Sequence, residues 1–198
     1  MVDLDENFWT RRYLDGYTGW DIGSVSKPID QYLCQIENKN LKVLVPGAGN
    51  AYEVARAREL GLLNVHLLDI SEFPIRNFLE KNPDFPQHQL HHEDFFEHDG
   101  QYDLILEQTF FCALSPELRG LYAKKMHSLL KPKGKLVGVL FDREFQNPGP
   151  PFGGRAEEYE KYFKPYFKFR AFERCYNSIA PRQGAELWIN IQKLDSQD

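Results

Sequence analysis

Cysteine is scarce: Cys34, Cys112 and Cys175 are widely spaced among 198 residues, and no C-x-x-C pair occurs. That excludes a disulfide scaffold and predicts reduced thiols in a cytoplasmic protein. Long hydrophobic runs are missing too; none approaches the roughly 18 residues of a membrane span, and residues 1–6 are too acidic and polar for a secretory signal or anchor. Positive charge is short, with 24 Lys and Arg against 29 Asp and Glu for a net charge of −5, and the longest basic run, 131–135, is interrupted by Pro132 and Gly134. Phosphate backbones are neutralised by clustered cations, so a nucleic-acid partner is not expected, nor is a membrane. His88, His91, His92 and His98 lie close together. They lack carboxylate partners at regular helical spacing, read as a strand edge and loop, and are assigned no metal.

What is present describes one domain over residues 1–198, a monomer or weak homodimer acting on a small molecule, since 42% apolar content can build a single good core but hardly two. Apolar runs rich in β-branched and aromatic residues predict strands at 41–45, 64–68, 102–106, 135–141, 166–174 and 186–194, with a weaker one at 87–91. Helical spacing predicts helices at 28–36, 51–60 with Gly61 as stop, 73–81, 117–130 behind Ser115 and Pro116, and 155–163. The aromatic series 159–172 reads as that last helix entering a strand, and the charges at 157–161 as its solvated face. Strands alternating with helices imply right-handed crossovers and a doubly wound sheet. The last two strands are joined by a loop too short for a crossover and must pair antiparallel. The fold class is therefore α/β: a mostly parallel seven-stranded, Rossmann-like sheet with an antiparallel C-terminal hairpin.

The densest chemical signal is the strand at 41–45 breaking into Pro46, Gly47, Ala48 and Gly49, with Asp69 ending the next strand. A glycine turn lets backbone lie against a nucleoside, and a downstream carboxylate accepts ribose hydroxyls. A nicotinamide enzyme shares this device. Here, however, the third glycine position is Tyr52, which would hinder close helix approach to a pyrophosphate, and the residues after the core half leave no room for a substrate domain.

Residues outside the turn carry more. Phe8, Trp9, Arg12 and Tyr13, the run Gly19-Trp20-Asp21-Ile22-Gly23, Val45-Pro46-Gly47-Ala48-Gly49, Asp69-Ile70-Ser71 and Glu93-Asp94-Phe95-Phe96 follow in order. Tyr102-Asp103-Leu104-Ile105, Phe110-Phe111-Cys112-Ala113, Leu129-Leu130-Lys131-Pro132 with Gly134, and Gly149-Pro150-Pro151-Phe152 continue the series. Over residues 8–152 the chain resembles the thiopurine S-methyltransferase superfamily, particularly its thiol and halide methyltransferase branch. The resemblance implies a class I S-adenosylmethionine-dependent methyltransferase fold, with the last strand inserted between the fifth and sixth, and an enzyme of that class.

It further implies cofactor contacts from Gly47, Ala48 and Gly49 as close-approach backbone, Asp69 on ribose, Ile70 on adenine, and Asp94 and Phe95 near the adenine ring. Residues 1–27 form an aromatic arm. Read bare, its rings staple the chain to the core; the family implies a lid in which Trp9, Tyr13 and Trp20 line the cofactor's methionine end. Gln108 stands where the halide branch has tyrosine and thiopurine enzymes have arginine, and Glu107 beside it is either a ligand contact or a structural carboxylate. Candidate acceptor-pocket residues are Glu107, Phe110, Phe111, Arg143 and Phe152; the Phe110 and Phe111 pair also reads as core, and Arg143 as surface charge. No catalytic base is required, since a thiol is already a few per cent thiolate near neutrality and a halide carries no proton. The expected reaction is methyl transfer from S-adenosylmethionine, leaving S-adenosylhomocysteine, to a small soft nucleophile: a thiol, thiopurine-like sulfur, selenium species or halide. Two alternatives are a non-catalytic module that binds the same cofactor and an oxygen or nitrogen methyltransferase acting on a small molecule.

Overall fold

The computed structural model of the chain describes residues 4–146 and 149–194. Parts of the arm (1–3) and of the 142–152 loop (147 and 148) lie outside the described residues. In chain order the regular elements are α1 (Glu6–Leu14), α2 (Lys27–Cys34), β1 (Val43–Pro46), α3 (Tyr52–Glu59), β2 (Val65–Asp69), α4 (Glu72–Lys81), β3 (Leu90–His92) and β4 (Tyr102–Gln108). They continue with α5 (Arg119–Leu129), β5 (Leu130–Phe141), α6 (Ala156–Phe163), β6 (Phe167–Arg174) and β7 (Glu186–Lys193).

The strands form one sheet in the order β3-β2-β1-β4-β5-β7-β6. The first five are parallel, whereas β7 runs antiparallel to both β5 and β6 and lies between them, as expected. Period-two alternation divides the sheet's residues between two cores. Val43, Val45, Leu67, Leu104 and Leu106 pack with Ile29, Leu33, Val54 and Ala57 of α2 and α3, while Leu44, Leu68 and Ile105 pack with Tyr122, Met126 and Phe163 of α5 and α6. The aromatic series 159–172 joins this second core, and Tyr159 and Phe163 are wholly buried in it.

Four departures from expectation have local causes. The arm contains a helix, α1, whose first turn is capped by Asp5 Oδ1 accepting from the Phe8 N–H at 2.8 Å, with Glu6 at its start and Arg11 and Arg12 in its last turn. None of its residues is fully buried, so there is no apolar stripe to announce it. β5 begins five residues early, at Leu130, through a kinked lead-in in which Lys133 takes a positive φ of 62°. The weak strand, at the sheet edge beside β2, is only Leu90–His92, behind a 3-10 turn over Gln87–Gln89. Of the charges at 157–161, Glu158 is not merely solvated: it pairs with the buried Arg119 at 2.7 Å.

Candidate functional site

The carboxyl ends of β1, β2 and β4 meet where the strand order reverses, the place at which open α/β sheets bind ligands. A cavity of about 780 Å³ opens there, lined by α1, the turn after β1, the ends of β2 and β3, the turn after β4 and the 149–152 loop. A smaller one, about 60 Å³, lies between the glycine turn, Gln108 and residues 20–24 of the arm.

The turn after β1 takes its shape from two glycines in the left-handed region, Gly47 at φ 57° and Gly49 at φ 52°. A Cβ on Gly47 would collide with the Phe110 ring, and one on Gly49 would sit 2.7 Å from the Tyr13 hydroxyl. The turn is tied to β2 by the Ala48 N–H donating to Leu68 O at 3.1 Å and the Gly49 N–H donating to Asp69 Oδ2 at 2.8 Å. Asp69 also accepts the Ser71 N–H on Oδ1 at 2.8 Å. Each carboxylate oxygen keeps a lone pair for a further donor. Burial raises the Asp69 pKa above its ordinary value, and the N–H groups of Ser71 and Gly49 partly offset this.

The arm closes over this end of the sheet. Thr10 and Ser71 share a hydroxyl–hydroxyl bond of 2.8 Å, Tyr13 stacks on Phe73 at 5.9 Å, and Trp20 meets Trp9 and Tyr13 edge-on, each at 5.6 Å. Trp20 is anchored from the other side by Arg182, which donates to its carbonyl at 2.6 Å. Tyr17 stays exposed and takes no part. Trp9, Tyr13, Trp20, Gly47, Asp69, Ile70, Asp94, Phe95, Phe110 and Phe152 line the larger cavity; Ala48, Gly49 and Gln108 line the smaller.

Three acceptor-pocket candidates do not reach the cavity. Phe111 is core, packed on Tyr122 and Tyr159 at 5.0 Å each. Arg143 lies outside: its backbone bridges Gly154 and its guanidinium covers the Phe145 ring at 5.0 Å. Glu107 is fully buried; its Oε1 accepts the N–H groups of Phe110 and Phe111, at 2.8 and 3.0 Å, and its Oε2 takes a short bond from the Tyr122 hydroxyl. Of the two roles open to it, the geometry selects the structural one. It clamps the turn after β4, in which Thr109 adopts a positive φ of 61° that costs a β-branched residue energy, and so aims Phe110 into the cavity.

Sequence reasoning passed over Arg12, Thr109, Cys112 and Leu114 as wall residues. Arg12 had no legible signal as a wall residue, because the helix that carries it shows no apolar stripe, and Thr109 had none, because a left-handed threonine has no sequence signature. The histidines form a network instead of a bare strand edge. His66 Nδ1 meets His91 Nε2 at 2.8 Å, and His98 bridges Glu93 at 2.6 Å and the Tyr102 hydroxyl at 2.8 Å. His91, Glu93 and His98 place ligand-type atoms within 4.8 Å of one another, and these bonds account for the grouping.

The residues fit a nucleoside-bearing cation. Gln108 Oε1 is buried without a hydrogen-bond partner beside the smaller cavity, an acceptor that an ammonium there would satisfy. Asp69 retains acceptor capacity for a diol, and the rings of Trp9, Tyr13 and Trp20 suit a soft cation.

A family model described as thiopurine S-methyltransferase matches residues 4–194. The chain is 35% identical to "Probable thiol methyltransferase 2" of Arabidopsis thaliana, covering 94% of this chain and 84% of that one. To thiocyanate methyltransferase 1 of Brassica oleracea it is 33% identical, covering 97% and 87%. Among solved structures, the Burkholderia thailandensis 1,6-didemethyltoxoflavin-N1-methyltransferase superposes with a TM-score of 0.77 at 20% identity, covering 96% of this chain and 87% of that one, and shares the fold.

Proposed function

We propose that this chain, which belongs to the thiopurine S-methyltransferase family and is an S-adenosylmethionine-dependent methyltransferase, acts on a small soft nucleophile, sulfur foremost. S-adenosylmethionine supplies a methyl carbon made electrophilic by its sulfonium. We assign its ribose to Asp69, its adenine to Ile70, Asp94 and Phe95, and its methionine end to Gly47, Ala48, Gly49, Gln108 and the rings of Trp9, Tyr13 and Trp20. The observation that carries this is the coincidence of the Asp69-bonded glycine turn, the orphaned Gln108 oxygen and the ring-lined cover on one pair of cavities.

Displacement at a methyl carbon by a soft nucleophile needs alignment more than proton transfer. Holding reactants in a near-attack arrangement contributes about 7 to 11 kcal/mol, against about 10²- to 10⁴-fold from a general base. The chain is built for the former. Glu107 fixes Phe110, and the Phe152 N–H donates to Cys112 O at 2.7 Å, fixing the opposite wall. The arm, described over residues 4–27, covers the cavity and excludes water. The low helical burial of α1 supports a cover that opens. We further propose a single domain, monomeric or weakly dimeric and cytoplasmic, without a nucleic-acid or membrane partner. Three free cysteines and the acidic balance support this, and no helix among the described residues is long and apolar enough to cross a membrane.

Calorimetry with S-adenosylhomocysteine on protein stripped of carried-over ligand tests the reading. One site of micromolar affinity is expected, weakened roughly 10- to 150-fold in Asp69→Ala by loss of hydrogen bonds to a charged group. No binding would refute the function, and unchanged affinity in Asp69→Ala would refute the ribose assignment.

A further inference from the structure

We infer that the carboxyl end of β3 carries a binding site for a divalent metal ion of the zinc type, with His91, Glu93 and His98 as its ligands. The site takes no part in methyl transfer and does not depend on that reading. Its ligands come from a strand end and the loop behind it, at a spacing with no helical period, so no regular pattern announces them in the sequence.

The bonds that gather the histidines also fix which ring nitrogens carry hydrogen. His66 is buried, and its Nε2 lies 3.1 Å from the Asn64 side-chain oxygen, so Nε2 is the donor and Nδ1 is left as an acceptor. His91 Nε2, 2.8 Å from that acceptor, must then carry the hydrogen between the two rings. His91 Nδ1 is left as a bare lone pair. Among the described residues nothing hydrogen-bonds to it: Glu93 Oε1, 3.8 Å away, is too far and is itself an acceptor. The same carboxylate oxygen lies 2.6 Å from His98 Nδ1, and the three residues each place a ligand-type atom within 4.8 Å of the others. Acceptors converging in this way are drawn together by a cation.

The spacing and the support both suit zinc. Tetrahedral ligands about 2.0 to 2.1 Å from a zinc ion stand roughly 3.3 Å apart, and the two histidine nitrogens lie at 2.6 and 3.8 Å from Glu93 Oε1, on either side of that value. The Glu93 side chain is exposed and can take up the difference, whereas His98 is wholly buried. A histidine ligand is oriented by a hydrogen bond at its other ring nitrogen, and both rings have one: His91 to His66 at 2.8 Å, and His98 to the Tyr102 hydroxyl at 2.8 Å. That hydroxyl can accept as well as donate, so His98 can carry its hydrogen on Nε2 and free Nδ1 for the metal. Two imidazoles and one carboxylate favour zinc or cobalt over magnesium or calcium, with water in the fourth position. A metal held there would pin to β3 the loop that brings Asp94 and Phe95 to the wall of the larger cavity.

The test uses the full chain without a histidine tag, stripped with a chelator and given no S-adenosylmethionine, and titrates it with zinc by calorimetry and with cobalt by visible absorption. Wild type should bind zinc at a single site with micromolar or tighter affinity, give the absorption bands of four-coordinate cobalt, and show no binding of magnesium. Zinc at about 100 times its Kd should raise the Tm by roughly 5 to 11 °C. Glu93→Gln, a change at an exposed side chain, and His91→Gln should each raise the zinc Kd roughly tenfold or more while their circular dichroism stays that of wild type. In spectra of nitrogen-labelled histidine, zinc should shift Nδ1 of His91 and His98 and leave the exposed His88 and His92 in place. No zinc binding by wild type, magnesium bound as tightly as zinc, unchanged affinity in either folded variant, or shifts centred on His88 and His92 would each overturn the inference. Any of these results would leave the methyl-transfer reading intact, because S-adenosylhomocysteine binding is measured separately.

Discussion

Single residues at this site do structural work that their types alone do not reveal. Glu107 and Asp69 are both acids at strand ends, yet one is consumed by two N–H groups and a phenol inside the fold, while the other keeps acceptor capacity facing a cavity. Burial lifts Glu107 to about pH 7, with the Tyr122, Phe111 and Phe110 bonds opposing the rise. His66 shows the opposite shift: burial, then the Lys42 charge and the neighbouring histidines, lower it to about 3. A histidine so lowered stays neutral when folded but takes a proton when unfolded. Its contribution to stability is therefore complete above about pH 6.5 and drains away as pH falls through the window down to about 3. The slope is about 1.4 kcal/mol per pH unit for one proton. Glu53 and Glu107, both raised to about 7, oppose it, with stability falling as pH rises from 4.5 to 7. Chemical denaturation across pH 4 to 7 should show His66→Gln gaining stability relative to wild type as pH falls, by about one proton's slope. Parallel limbs would contradict the neutral His66.

At the scale of elements, α1 is the part to which we assign cofactor retention, and it has no fully buried residue. It is held by a cap, one hydroxyl bond to Ser71, ring contacts to Phe73 and Trp20, and Glu6, whose carboxylate lies 3.1 Å from His92. Such an element opens at little cost. Hydrogen exchange should show the amides of residues 6–14 exchanging faster than those of β4 without ligand, and slowing at least tenfold with S-adenosylhomocysteine. A ligand effect confined to β1 and β2 would contradict the lid. The sheet was legible in the sequence because burial on both faces writes near-continuous apolar runs, and the antiparallel pairing of β6 and β7 followed from the shortness of their connecting loop, while the place of β7 between β5 and β6 came only from the family resemblance. The α1 helix was not, because a helix without buried residues has no periodic stripe; Asp5, Glu6 and the two arginines were the available cue. The candidate site divided the same way. Gly47 and Gly49 are legible because backbone conformation demands them, and Asp69 because it is a carboxylate ending the next strand. Phe110 and Phe111, chemically identical neighbours, were sent to cavity and core by the Thr109 turn, which only tertiary structure specifies.

For the whole molecule, two cores on one sheet hold the strand ends rigid, and everything variable about the chemistry is carried by the arm and three loops. The fold alone would serve a bare cofactor-binding module equally well, so transfer, not binding, is the central claim. The direct measurement is to incubate the protein with methyl-labelled S-adenosylmethionine and hydrosulfide, thiocyanate, iodide and small thiols, and to follow the label by mass spectrometry. The account predicts label in at least one methylated sulfur or halide product, one methyl group per S-adenosylhomocysteine formed, with turnover sharply reduced in Asp69→Ala. S-adenosylhomocysteine binding with no label reaching any of these acceptors would contradict it.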